Sequence, residues 1–157
     1  MTPPVPNSAP PSLSKERLRL WLKLLKASSL IEDEIRRRLR KEMDWTLPRF
    51  DVMSALSRAP GGMRMSDISK MLRVSNGNVT GIVDKLVDEG LALRMTLPGD
   101  RRAHVVRLTP AGEALFVTHA EQHEAWIDEM LGGLNDDDVA GMIRRLDFLN
   151  DKLEGGA

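Results

Sequence analysis

The stretch that most constrains this chain runs from Arg64 to Thr109, where the spacing of apolar residues changes period twice within 46 residues. In RMSDISKMLRV, residues Met65, Ile68, Met71 and Leu72 recur at helical spacing, with Ser66 as the expected cap and Asp67 near the positive helix start. In SNGNVTGIVDKLVDEG, Ser75 is the expected cap of a second helix. Its Val79, Ile82, Val83 and Leu86 fall on one face, and Gly90 stops it. The pattern then alternates: Leu91, Leu93 and Met95 point one way and Ala92, Arg94 and Thr96 the other. Pro98, Gly99 and Asp100 make a turn, and a return strand runs from about Ala103 to Leu108. Two short helices followed by a hairpin with a basic tip is the expectation.

Those parts suit duplex DNA. A helix that buries one face can offer the other to the major groove, whose width matches it. At 100° per residue, Gly77, Thr80, Gly81 and Asp84 lie opposite the apolar stripe, with Asn76, Asn78 and Lys85 on its shoulders. Asn can pair with an adenine edge, Thr can meet a thymine methyl or a phosphate, and glycine lets the backbone come close. Asp84 repels phosphates unless it pairs with Lys85, Arg94 or a cytosine amino group. The tip PGDRR carries Arg101 and Arg102 on a protruding loop, suited to the negative potential of a narrow minor groove.

The patterns M-S-D-I-S, V-S-N-G-N-V-T, V-D-x-L-x-x-x-G-L and D-R-R-x-x-x-V-x-L-T-x-x-G between Met65 and Gly112 resemble the MarR (multiple antibiotic resistance regulator) family of winged helix-turn-helix transcription factors. The resemblance implies that Arg102 enters the minor groove while Asp100 orients it. It also implies a homodimer on a pseudo-palindromic operator. Many members have arginine where this chain has Gly81, which bears on operator sequence more than on fold.

Composition sets limits on either side of this stretch. With no cysteine the chain has no disulfide, thiolate zinc site or thiol redox switch. No apolar run approaches the roughly 20 residues of a membrane span, and no charged-then-apolar leader is present, so a cytoplasmic location is expected and no membrane partner. The formal charge is zero, yet residues 1–57 and 58–109 each carry +4 and residues 110–157 carry −8. A basic front and an acidic back orient a molecule on DNA.

Residues 1–14 hold five prolines and little to bury, and are expected to be a disordered lead. A helix capped by Ser14 is expected to run to about Met43. Its stripe of Leu18, Trp21, Leu22, Leu25, Ile31, Ile35 and Leu39 is longer than one such chain needs for its own core. Pro48 suits the first turn of the next helix, which carries Phe50, Val52, Met53 and Leu56. A further helix is expected from Pro110 to Leu131. A last one runs from Asp136 to Leu153 behind an Asn135 cap, with Val139, Met142, Ile143, Leu146 and Leu149 on one face. The fold class expected is mainly α with a small β-hairpin wing. Residues 15–47 and 110–157 form a helical dimerisation region around a winged helix-turn-helix at 48–109.

The site residues follow. Asn76, Asn78 and Thr80 are expected at base edges or the groove wall, Ser75 and Lys85 at phosphates, and Asp100, Arg101 and Arg102 at the wing. By resemblance, a small aromatic carboxylate binds between the dimer helices and the reading head and releases DNA. Ser28, Ser29, Trp45, Phe50 and Met53 are the residue types such a cleft uses, each equally at home in a core. The run of Arg36, Arg37, Arg38, Arg40 and Lys41 is either a solvated helix face, a phosphate-steering patch or, if the effector is an acyl-coenzyme A thioester, the group that meets its phosphates through Arg36 and Arg40. His119 and His123 lie one helical turn apart and could meet a metal, or form a solvated face; His104 could touch a phosphate. Asp136 to Asp138 suit a helix start. No nucleophile elbow or phosphate-binding lysine loop is present, so no enzyme activity and no cofactor are expected. A repressor released by an aromatic effector is the reading, with a winged-helix protein-interaction module or a metal-responsive regulator through His119 and His123 as alternatives.

Overall fold

A computed structural model describes residue 10, residues 12–72 and residues 76–156, with the side chains of Asn76, Arg101, Arg102 and Ala103 outside the description. The chain divides into two compact units, residues 1–47 and 48–157.

The first unit is dominated by α1 (Leu13–Arg38). Its cap is Ser12 rather than the expected Ser14: Ser12 is extended, at φ −62° and ψ 153°, and its hydroxyl accepts from the Lys15 amide at 3.4 Å. The earlier serine serves because the helix then gains a further backbone bond, Glu16 N–H to the Ser12 carbonyl at 3.0 Å. After Arg38 the regular helix gives way to a single π-helical turn, Leu39–Met43, where one unbroken helix was expected. Asp44 closes it in the left-handed conformation at φ 54°. Leu39 is fully buried and Ile35 and Trp45 nearly so, while Leu18, Trp21, Leu22 and Leu25 remain exposed.

The second unit takes in α2 (Leu47–Ser57) from Pro48 onward, followed by β1 (Met63–Arg64), α3 (Met65–Leu72), α4 (Asn76–Asp88), β2 (Ala92–Leu97), β3 (Asp100–Leu108), α5 (Pro110–Met130) and α6 (Asp136–Gly155). The sheet has three antiparallel strands in the order β1-β3-β2, so the hairpin expected from sequence has a third strand at its other edge. Two residues were too few to show an alternating pattern; they are held by Met63 opposite Val106 and Arg64 opposite Val105. The same pairing explains why α3 begins at Met65, placing Ser66 inside the first turn rather than at the cap.

The core of this unit gathers the apolar face of each element. Val52, Met53 and Leu56 of α2, Ile68 of α3, Val79, Val83 and Leu86 of α4 and Val106 of β3 are at most 1% exposed. Each such side chain contributes about 1.5–3 kcal/mol relative to leaving it in water. Gly90 ends α4 with φ +75°, a conformation costly for other residues. The chain is then clamped to the start of α5: the Thr109 amide donates to the Leu91 carbonyl at 3.0 Å, its hydroxyl donates to the Gly90 carbonyl at 2.7 Å, and the Gly112 amide donates to that hydroxyl at 3.0 Å. Asn135 and Asp138 form a reciprocal capping box on α6, at 2.9 and 3.1 Å. Among the described residues no helix is long and apolar enough to cross a membrane.

Candidate nucleic-acid interface

Helix α4 is anchored by Val79, Val83 and Leu86, all fully buried, with Ile82 half-buried beside them. This fixes the opposite side outward: Gly77, Asn78, Thr80, Gly81, Asp84 and Lys85 are all exposed. The expected division of the helix into a buried stripe and a polar face is therefore present. Ser75 lies outside the described residues; Asn76 is the first residue of α4.

Beside this face stands the hairpin of β2 and β3. Ala92 to Thr96 pair in register with Leu108 to His104, but Leu97 pairs with Asp100. Arg101, Arg102 and Ala103 thus have no partners on β2 and form a bulge in β3, and the turn itself contains only Pro98 and Gly99. Sequence reading put Asp100, Arg101 and Arg102 on the loop. The strand takes them because Leu97 and Asp100 close the ladder across a two-residue turn, for which Gly99 supplies φ +85°. Asp100 and His104 are both exposed.

Ion pairs link elements of this unit. Arg49 of α2 grips Glu89, just past α4, with both guanidinium ends, Nη1 donating to Oε1 at 3.2 Å and Nη2 to Oε2. Hydrogen bonding from Arg49 holds the Glu89 carboxyl below its ordinary range. On the exposed face of α4, Asp84 accepts from Nη2 of Arg94 on β2. Of the partners that sequence left open for Asp84, the structure forms this one.

The residues expected to hold an effector fall in both units. In the first, Ser28 and Ser29 are exposed, and the Ser28 hydroxyl donates back to the Leu24 carbonyl at 2.8 Å. Arg36 pairs with Glu32 and Asp33, each at 3.5 Å. Arg37 and Arg38 share Glu34, whose carboxyl their hydrogen bonds hold down to about 2. Arg40 is exposed and Trp45 buried.

In the second unit Met53 is fully buried in the core. Phe50 lies against Phe116, with ring centroids 5.5 Å apart, and against His123 at 4.7 Å. Burial lowers His123, and burial with the nearby Arg49 charge lowers His119. His123 is therefore engaged with an aromatic ring, and among the described residues no group of three or more metal-capable side chains occurs. An open cleft of about 930 Å³ lies between α5 and α6, lined by His123, Ile127, Leu131, Leu134 and Val139 with acidic neighbours. None of the residues expected to hold an effector lines it. Sequence reading missed Phe116, this cleft and the Arg49–Glu89 link; only the apolar character of Phe116 was a signal.

A profile of the MarR family matches residues 45–104. The HTH-type transcriptional regulator MhqR of Bacillus subtilis is 28% identical over 127 residues, 81% of this chain and 86% of that protein. The multiple antibiotic resistance protein MarR of Salmonella typhimurium is 30% identical over 99 residues, 62% of this chain and 68% of that protein. Among solved structures, the transcriptional regulator BldR of Sulfolobus solfataricus superposes with a TM-score of 0.78 at 25% identity, covering 90% of this chain and 99% of that one. With the helix, the wing and these relatives in agreement, the chain belongs to the MarR family of DNA-binding transcriptional regulators.

Proposed function

We propose that this chain acts as a homodimeric repressor on a pseudo-palindromic operator, and that a small aromatic acid or its acyl-coenzyme A thioester releases it. The observation that carries the DNA-reading half is the orientation of α4, with Val79, Val83 and Leu86 buried and Asn78, Thr80 and Lys85 turned outward. In this reading residues 48–109 address DNA: Asn76, Asn78 and Thr80 meet base edges or the groove wall, and Ser75 and Lys85 meet phosphates. Arg101 and Arg102 enter the adjacent minor groove, with Asp100 orienting Arg102.

Residues 15–47 and 110–157 pair two copies. Support comes from the apolar faces they leave exposed: Leu18, Trp21, Leu22 and Leu25 on α1, and Val139, Met142, Ile143, Leu146 and Leu149 on α6. Apolar stripes of that length mark interaction surfaces. Two reading helices then meet half-sites about 34 Å apart. A regulator of this kind works in the cytoplasm, where the chromosome is.

The effector reading assigns Ser28, Ser29, Arg36, Arg40, Trp45, Phe50 and Met53 to a ligand. For release, that ligand must bind the DNA-incompetent arrangement more tightly than the competent one, because equal binding shifts nothing. Light scattering and footprinting test the proposal together. The expected results are a particle of twice the 17.5 kDa chain mass and a protected stretch with dyad symmetry upstream of its own gene. A single-chain mass at micromolar concentration, or protection that aromatic acids and their thioesters leave unchanged, contradicts the corresponding half.

A further inference from the structure

We propose that Arg94 is a positioning residue for DNA recognition. It holds Asp84 in an ion pair, which cancels a negative charge on the exposed face of α4, and it ties wing strand β2 to that helix. The inference rests on α4 being the reading helix. Asp84 stands one helical turn beyond Thr80, on the face that also carries Gly77 and Gly81, and neither glycine has a side chain to screen it. An uncancelled carboxylate there meets the phosphate wall with like charge, and a protein that reads DNA through a helix with so few cations of its own loses affinity by it.

The partner comes from a different element, ten residues along the chain, rather than from the neighbouring Lys85. Both side chains are about half exposed, 43% and 52%, so the pair adds little to folding stability. Its effect falls on the charge presented to a ligand and on the orientation of the hairpin next to the helix.

The test is a charge cycle read by fluorescence anisotropy against a labelled 30-base-pair duplex from immediately upstream of the protein's own gene, across a salt series. Arg94→Met is expected to weaken binding about tenfold with an unchanged melting temperature, and without the loss of about one unit in the slope of log K against log salt that removing a direct phosphate contact gives. Arg94→Lys, which keeps the charge, is expected within about threefold of wild type. The decisive variant is the double change Asp84→Asn with Arg94→Met, expected to recover affinity to within about threefold. Asp84→Asn alone completes the cycle: if Arg94 acts through Asp84, Arg94→Met costs nothing further in the Asp84→Asn background, whereas an undiminished tenfold loss there overturns the proposal. A double variant as weak as Arg94→Met makes Arg94 an ordinary phosphate contact and overturns the proposal, as does a single variant that binds normally. A wild-type protein with no salt-dependent binding to any duplex overturns the reading-helix assignment itself, and this inference with it.

Discussion

Replacing Gly112 by alanine separates two effects of adding one methyl group. Gly112 sits in the first turn of α5, where the residue just before β2 passes so closely that an added Cβ is driven into the Leu91 carbonyl oxygen, with the Leu91 carbonyl carbon at 3.0 Å and Cα at 3.3 Å. Carbon atoms prefer about 3.5–4.0 Å. The two backbones must therefore part by at least half an ångström, at the point where Thr109 bonds both Gly90 and Leu91. Overpacking of this kind costs about 1–3 kcal/mol, against a gain of at most about 1 kcal/mol from alanine's helix propensity. A net loss of about 1–2 kcal/mol lowers the melting temperature of a chain this size by about 2–8 °C. Because the strain falls at the root of the wing, DNA affinity is expected to drop as well. Differential scanning calorimetry at fixed protein concentration reads the first effect, and anisotropy on duplex DNA the second. A melting temperature equal to wild type or above it refutes the reasoning.

Gly81→Ala is the opposite case: nothing lies within 4 Å of its added Cβ, so calorimetry should show stabilisation of up to about 1 kcal/mol. Arg102→Ala is expected to weaken duplex binding by about 1–3 kcal/mol in anisotropy while leaving the fold intact, if it reads the minor groove. The folded carboxyl of Glu89 is held low, so the stability it contributes is present above the unfolded carboxylate range near pH 4.5 and is lost as pH falls through the lower folded value. Glu89→Gln should accordingly lose less melting temperature than wild type between pH 6 and about 3.5. His123 is lowered by burial, so protonation favours unfolding, and stability falls as pH drops below about 6.5. His123→Phe should flatten the melting temperature between pH 7 and 5, and an unchanged profile contradicts the burial of the imidazole.

Helices with a full apolar face were legible in the sequence. The interval pattern of Val79, Val83 and Leu86 located both the buried and the exposed side of α4, and Asn135 marked the start of α6 to the residue. What failed to show was structure held by distant partners. Strand β1 consists of two residues whose conformation depends on Val105 and Val106, some forty positions away. The choice of Ser12 over Ser14 turned on one extra backbone bond. The π turn at Leu39–Met43 left no trace in residue type. For the site, composition offered Asp84 three partners of equal merit, and only the placement of β2 beside α4 selected Arg94. The aromatic and arginine residues assigned to an effector were the hardest to read. The same residue types are equally at home in a core, where Phe50 and Met53 are buried, or on a helix surface, where Arg36 to Arg38 pair with nearby carboxylates, so residue type alone does not mark a ligand site.

The three unmatched residues in β3 make the far end of the hairpin a length-tolerant extension. Because Thr96 opposite His104 already completes the regular ladder, residues gained or lost between Asp100 and Ala103 need not shift any pairing nearer the core. If Arg101 and Arg102 address a groove as proposed, a chain built this way can change how far that end of the wing extends without disturbing α4. Variation in target preference among relatives should therefore accumulate at this extremity sooner than along the ladder beneath it.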